Sequence, residues 1–549
     1  MKKKIIDAVA FSGIWTCPIS YLLVFAFVRQ INLNQNNASD LVQSIIILLV
    51  LLPMIWISYT NLSAYSKDDK RCFYFGDGLK EEMSSEKRKA TYPRIPNNML
   101  ADANQYNGSI ILGKSNNKHV KYDVNANTIP NIIIIGSTGS GKSSSFYIGN
   151  LLYMTNSIKD VPNTTEKSMN KYQLFVMDVK GELAKICVPK NNVNIRTVSF
   201  DENIKSNLWG WDVYYELDAK SDDNHRLEVY NMIATAVIIS TSDHDGFWVE
   251  NSRTLFVGLL SYFHDIKGID FIDSVSEILQ NNITSLIEEA IEVSDPQSIA
   301  YKWLYKFYGK SNNSFEDIIT TMTSCLSVFN LPIVKNVMRD RKEKVSPITF
   351  DDSLTSIFLN IPDYMLAELG TVFRLITTQL FEYIERRNSS TSLLVLLDEF
   401  PALGKIQKIC HYMSILRYHN CSIWLSIQSY YQLQNNYSIA ESKIIIDNTK
   451  IKCVLEISDT DTGEMISKWC GTYNEKKISR NEKGSRSTTT ERVPIVTSTD
   501  LIKLSQKEEV ILIISGVGYL RVKRASYYKD KYMMEIADKI REGKGDLYE

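Results

Sequence analysis

Two kinds of apolar run alternate with polar stretches along the chain, and their lengths separate them. Residues 8–28 and 41–59 are uncharged and dominated by Phe, Ile, Leu and Val. Each is close to the roughly 20 residues that cross a bilayer as a helix. The other runs are short: 132–135, 172–177, 393–397, 421–427, 450–457 and 509–514. Runs of that length ending in small or acidic residues predict buried strands of a largely parallel sheet. Between about 227 and 345 the pattern changes to a helical period, with Pro296 and Pro332 as boundaries. That interval predicts an all-helical insertion of about 120 residues that interrupts an α/β core. Insertions at the loops of such a scaffold commonly carry partner or substrate contacts.

A signal peptide would account for one apolar segment after MKKK. Two segments without a small-residue cleavage site predict a retained hairpin. Lys2, Lys3 and Lys4 precede the first, Lys67, Lys70 and Arg71 follow the second, and the link has only Arg29 at its edge. Both termini are therefore expected in the cytoplasm, with only about ten residues outside the membrane. The charged stretch 66–130 reads as a juxtamembrane stem that returns through GSIILGK at 108–114. The expected divisions are 1–65 for the transmembrane hairpin and its flanks, and 66–225 for the stem and the first part of a nucleotide-binding domain. The inserted helical domain is expected at 226–346 and the second part of the nucleotide-binding domain at 347–549.

The stretch 131–146, NIIIIGSTGSGKSSSF, carries the clearest chemistry. Its strand runs into GSTGSGKS, a full match to the GxxxxGK[ST] phosphate-binding loop, with a helix expected over 142–154. Gly136, Gly139 and Gly141 let the amides of Ser137, Thr138, Ser140 and Ser144 turn toward phosphate oxygens. Lys142 reaches the terminal phosphates of ATP, and Ser143 offers its hydroxyl to Mg²⁺. The strand 393–397 ends in Asp398 and Glu399, positioned to order the metal and to activate water. Gln428, at the end of 421–427, can sense phosphate or orient water. Asp178, after 172–177, stands either near the nucleotide or as a solvated turn residue.

Composition changes this picture little. A formal net charge of -1 on 549 residues puts any nucleic-acid contact in a local groove or channel rather than on the bulk surface. Eight cysteines without paired spacing fit a reducing compartment and no zinc site. The polar stretch 474–492 reads as a mobile loop whose Lys476, Lys477, Arg480, Lys483, Arg486 and Arg492 either meet a polyanion or are solvated. SGVGYLRVK at 515–523 predicts a turn into an edge strand, and the tail 539–549 is expected to fray.

Taken in order, GSTGSGKS, DVKGEL at 178–183, DGFWVENSRTLFVGLL at 245–260, LNIPDY at 359–364, LLDEFPALGKI at 396–406, SILRYHN at 414–420, SIQSYYQL at 426–433 and VPIVTSTDLIKL at 493–504 resemble the type IV secretion coupling proteins of the VirD4/TraG class. The resemblance covers nearly the whole chain. It implies a membrane-anchored, RecA-like ATPase with an inserted all-α domain, working as a homo-hexamer that passes a relaxase bound to single-stranded DNA to the secretion channel. It also implies that Arg417 reaches the neighbouring subunit's nucleotide, with Arg374 as the second candidate and a plain surface salt bridge as the alternative for either. The short external loop departs from many members and suits a cell with one membrane. Two other functions share these motifs: a double-stranded DNA pump of the FtsK/SpoIIIE type, and a membrane adaptor for secreted proteins that uses nucleotide only to assemble.

Overall fold

The computed structural model describes residues 85–543, apart from 103–107, 125–128, 156–171, 190–193, 205–207, 218–220, 240–245, 352–354 and 481–485. The expected membrane hairpin lies outside the described residues, and among those no single helix is long and apolar enough to cross a membrane. The strands are β1 Leu100–Ala101, β2 Ile110–Ser115, β3 Lys118–Tyr122, β4 Ile132–Gly136, β5 Tyr172–Val179, β6 Ile195–Ser199, β7 Gly210–Trp211 and β8 Lys344–Val345. They continue with β9 Ser356–Ile361, β10 Ser392–Leu397, β11 Cys421–Ile427, β12 Ile451–Glu456, β13 Thr472–Arg480, β14 Arg486–Pro494, β15 Glu509–Ile514 and β16 Gly518–Lys523.

Twelve of these form one sheet in the order β1-β3-β2-β16-β15-β12-β4-β11-β10-β5-β9-β6. From β12 to β6 every pairing is parallel, and from β15 to β1 every pairing is antiparallel. Strand alternation divides the sheet's side chains between two cores. Ile133, Ile135, Phe175, Met177, Val395 and Leu425 face one of them, and Ile132, Ile134, Leu174, Val176, Leu396 and Trp424 the other. Burial on both faces is why these strands are continuous apolar runs rather than alternating ones.

The described elements between Asp223 and Asp340 are helical, as the 3.6-residue period predicts. Their N-termini are capped by side chains written into the sequence: Asp222, Asp270, Asn282, Ser298 and Asn312 each accept a backbone N–H of the first turn. The helical segment shares the first core with the sheet. Its two ends are drawn together by the parallel pair β7 and β8, where Gly210 N donates to Glu343 O at 2.7 Å. Gly210 is required there, because a Cβ would sit 2.6 Å from Val337 O.

Four expectations change. The polar stretch expected to be a mobile loop is a β-hairpin, β13 paired antiparallel with β14 from Thr472↔Pro494 to Arg480↔Arg486. Polar residues on both faces hid its period, while the β-branched run Thr488, Thr489 and Thr490 favours extended backbone. β16 is interior, between β15 and β2, because the stem returns to pair with it. The segment between β9 and β10, for which the continuous helical pattern over 363–387 predicts one helix, is instead a 3₁₀ turn, Asp363–Met365, followed by the helix Gly370–Arg386. The helix after the phosphate loop opens with a wide π-turn, Ser143–Tyr147, before Ile148–Thr155.

Candidate nucleotide site

Parallel register sets the site. Ile427 pairs with Ile135, Leu425 with Leu397, and Leu397 with Met177, so β4, β11, β10 and β5 end along one edge. The segments that leave that edge carry the phosphate loop, Gln428, Asp398 with Glu399, and Asp178. Ligands of open α/β sheets bind outside the carboxyl ends of parallel strands, where these groups converge.

The loop itself is tightly built. Gly139 and Gly141 take φ of 78° and 84°, the left-handed region that lets consecutive amides turn to one side. A Cβ at Gly136 would strike Ser140 Oγ. Ser140 N donates to Ser137 O at 3.1 Å, and Ser137 N to Glu456 O at 3.0 Å, which ties the loop to the end of β12. Thr138 is exposed, while Ser143 and Ser144 are half-buried at the start of the helix, where its N-terminal amides favour an anion. Lys142 is buried, and its Nζ donates to Gly136 O at 2.6 Å and stands 3.8 Å from Glu399 Oε1. Burial lowers its pKa, and Glu399 and then Asp398 oppose that shift.

Gln428 joins the two sides of the pocket. Thr138 Oγ1 donates to Gln428 Oε1 at 3.1 Å, and Gln428 Nε2 donates to Glu399 Oε2 at 3.0 Å. Glu399 is held at φ 57°, ψ 48°, a left-handed conformation costing a non-glycine residue roughly 1–3 kcal/mol. That backbone aims the carboxylate across the strand ends rather than along its own chain. The resulting cavity, about 430 Å³, is lined by Thr138, Lys180, Glu399 and Gln428 together with residues of the 3₁₀ turn after Glu399 and of the helix Tyr430–Asn436.

Asp398 is buried, and desolvation, reinforced by Glu399, pushes its carboxyl up to about 7. Two adjacent acids with one buried lysine are the donor set that a divalent cation relieves, so Ser143 and Asp398 fit Mg²⁺. Asp178 is not a solvated turn residue: it is fully buried and accepts from Leu183 N at 3.2 Å and Ala184 N at 2.7 Å. Its role is to hold the turn that presents Lys180.

The two candidate arginines go to different places. Arg374 is buried, with Nε on Ala236 O at 2.6 Å, Nη1 on Leu403 O at 3.1 Å and Nη2 on Val237 O at 3.1 Å. Arg417 is exposed, its guanidinium 4.8 Å from the Tyr418 ring centroid. It precedes the N-terminal end of β11, a seven-residue strand, whereas the phosphate loop follows the C-terminal end of the parallel neighbour. The two sites are therefore about 20 Å apart along the strand direction within one chain.

Sequence reasoning missed Arg524. Its Nη1 donates to Ser140 O at 2.5 Å, its Nη2 to Leu455 O at 2.6 Å and to Ser505 Oγ at 2.9 Å, and its Nε to Glu509 O at 3.1 Å. It braces the phosphate loop from behind. Nothing local marks it, because its partners are separated from it by up to 384 positions.

A phosphate loop after a parallel strand, two acids at the end of the next strand but one, and a glutamine at the end of the strand between them define a RecA-like P-loop nucleotide-binding fold. The family model for "Type IV secretory system Conjugative DNA transfer" matches residues 82–544, and the chain belongs to that family. It is 21% identical to Protein VirD4 of Rhizobium radiobacter over 75% of this chain and 59% of the relative. It is 22% identical to the type IV secretion system-coupling protein VirD4 of Bartonella henselae over 75% of this chain and 64% of the relative. The chain thus spans about three-fifths of the length of the curated relatives it matches. In fold it is similar to the bacterial conjugative coupling protein TrwBdeltaN70, with a TM-score of 0.58, 15% identity and coverage of 83% of this chain and 93% of that one. The plasmid coupling protein TrwB in complex with ADP and Mg²⁺ gives a TM-score of 0.58 at 16% identity, covering 83% and 94%.

Proposed function

We propose that this chain is an ATP-driven coupling protein, anchored in a bacterial membrane by 8–28 and 41–59 with both termini cytoplasmic. It receives a relaxase bound to single-stranded DNA and delivers the strand to a type IV secretion channel. The observation that carries the motor reading is the closed set Thr138, Gln428, Glu399 and Lys142 at one sheet edge, with Arg417 exposed at the other. Lys142 and the loop amides hold the phosphates, Asp398 and Ser143 hold the metal, and Glu399 takes the proton of the attacking water. Mg²⁺, when bound, neutralises phosphate charge. Gln428 touches both the loop and Glu399, so a change at the terminal phosphate reaches β11 directly. Arg417 supports a ring, a homo-hexamer in the family's manner, in which each subunit offers this cation to its neighbour's nucleotide.

The anchor is supported by the length of the two segments and by the lysines and arginine that flank them. Turnover of ATP by the full chain in detergent, with and without single-stranded DNA, tests the proposal. Stimulation by the single strand is expected, with Glu399→Gln lowering turnover by about 10²–10⁴-fold and Lys142→Ala abolishing it. A chain that binds no nucleotide would sink the motor reading, and stimulation by duplex alone would replace the cargo with double-stranded DNA.

A further inference from the structure

The helical segment exposes a feature that the nucleotide chemistry does not use. Tyr301 lies on the helix Ile299–Leu304, Tyr305 opens the 3₁₀ turn Tyr305–Phe307 that extends it, and Tyr308 is the residue that follows the turn. Their rings form a column. The Tyr301 and Tyr305 centroids are 5.4 Å apart with planes 16° from parallel, and those of Tyr305 and Tyr308 are 6.1 Å apart at 6°. Tyr305 is 57% exposed and Tyr308 49%. Large aromatic rings held parallel in water, rather than folded into the core, mark a contact surface.

The charge pattern names the occupant. Residues 226–346 carry sixteen Asp and Glu against eleven Lys and Arg, yet from Asp295 to Glu316 there is no acid between, and Lys302, Lys306 and Lys310 interleave the aromatic residues. All three lysines are exposed. Lys306 Nζ is steadied by Asn251 Oδ1 at 2.7 Å, and Lys306 and Lys310 lie 5.5 and 5.7 Å from the Phe307 ring centroid. The neighbouring helix Ile283–Val293 exposes Glu288, Glu289 and Glu292, which confines the favourable field to this stretch. Stacking rings beside a short row of ammonium groups are the two elements of sequence-tolerant single-strand binding. A duplex keeps its bases paired and inaccessible to the rings, and an acidic protein has no need of parallel rings.

Resting on the DNA-transport reading above, we propose that Tyr301, Tyr305 and Tyr308 with Lys302 and Lys310 form a stacking platform for single-stranded DNA on the helical segment. Bases add to the exposed end of the tyrosine column while the lysines follow the phosphates. The test is the affinity of the full chain in detergent for a fluorescent oligo-dT, measured over a salt series. Tyr305→Ala with Tyr308→Ala is expected to weaken binding at least tenfold, and Tyr305→Phe with Tyr308→Phe to leave it within twofold. Lys302→Gln with Lys310→Gln should make the slope of log affinity against log salt shallower by about 1.4, the share of two phosphate contacts on a single strand. Basal ATP turnover, which depends on Lys142, reports that each variant is folded. Wild-type affinity in the double alanine variant overturns the platform, as does retained oligo-dT binding with loss of an acidic protein partner. If the unaltered chain hydrolyses ATP but binds no single strand, the DNA-transport reading fails, and the platform with it.

Discussion

Asp178 and Asp398 show how burial sets the character of this site's acids. Asp178 accepts two backbone amides, yet its complete burial outweighs them and raises its carboxyl to about 7. In the unfolded chain the same group ionises near 4. Between those values the folded state holds a proton that the unfolded state has lost, so stability falls as pH rises through the window and levels off above about 7. The slope from one such group is at most about 1.4 kcal/mol per pH unit. Asp178→Asn keeps an acceptor for the helix amides and removes the charge. Urea unfolding of the nucleotide-free chain from pH 5 to 8 should therefore show a flatter profile in this variant and a higher stability than the unaltered chain above pH 7. Asp398, also raised to about 7, leaves a residual slope in both proteins. An unchanged profile in Asp178→Asn would mean that the buried carboxyl is already ionised at the bottom of the window.

At the scale of elements, Arg374 separates a structural strut from a catalytic finger. Its donors join the C-terminal carbonyls of the helix Asp223–Val237 to the turn Phe400–Leu403 that follows Glu399. Arg374→Met strands those carbonyls in the core and should lower the free energy of unfolding by about 2–4 kcal/mol. Arg374→Lys should recover only part, because one ammonium cannot span the acceptors that a planar guanidinium reaches. Near-normal stability with abolished turnover would instead make this residue a finger. The strut could not be foreseen, since its partners lie 137 and 138 positions before it and 29 after it, and none carries a sequence mark. The strands were legible for the opposite reason: β4, β5, β10 and β11 are buried on both faces, so composition alone reveals them. The β13–β14 hairpin is polar on both sides and gives no such signal. Within the site, the loop and the two acids were legible because phosphate chemistry fixes their spacing. Arg524 was not, because bracing a carbonyl demands a position in space rather than in sequence.

For the whole molecule, the proposed ring gives the placement of Arg417 a testable consequence. Its guanidinium stands at the N-terminal end of β11, while its own Lys142 lies beyond the C-terminal end of the adjacent β4. No side chain spans the roughly 20 Å between the two ends, so in the proposed ring each nucleotide must be completed by the next subunit. Head-to-tail contacts of this kind close into a ring, and every interface then needs one intact loop and one intact arginine. Arg417→Ala and Lys142→Ala should each abolish turnover when present alone. In a ring assembled from equal amounts of the two, about a quarter of the interfaces pair an intact loop with an intact arginine. Mixed preparations should thus regain measurable hydrolysis that neither parent shows, and pre-formed rings mixed without exchange should not. If Arg417→Ala alone keeps full turnover, the residue is a surface cation and its stacking on Tyr418 is its whole role. If mixing restores nothing although the subunits exchange, the arginine acts within its own chain, and the separation of the two sheet edges would have to close during the cycle.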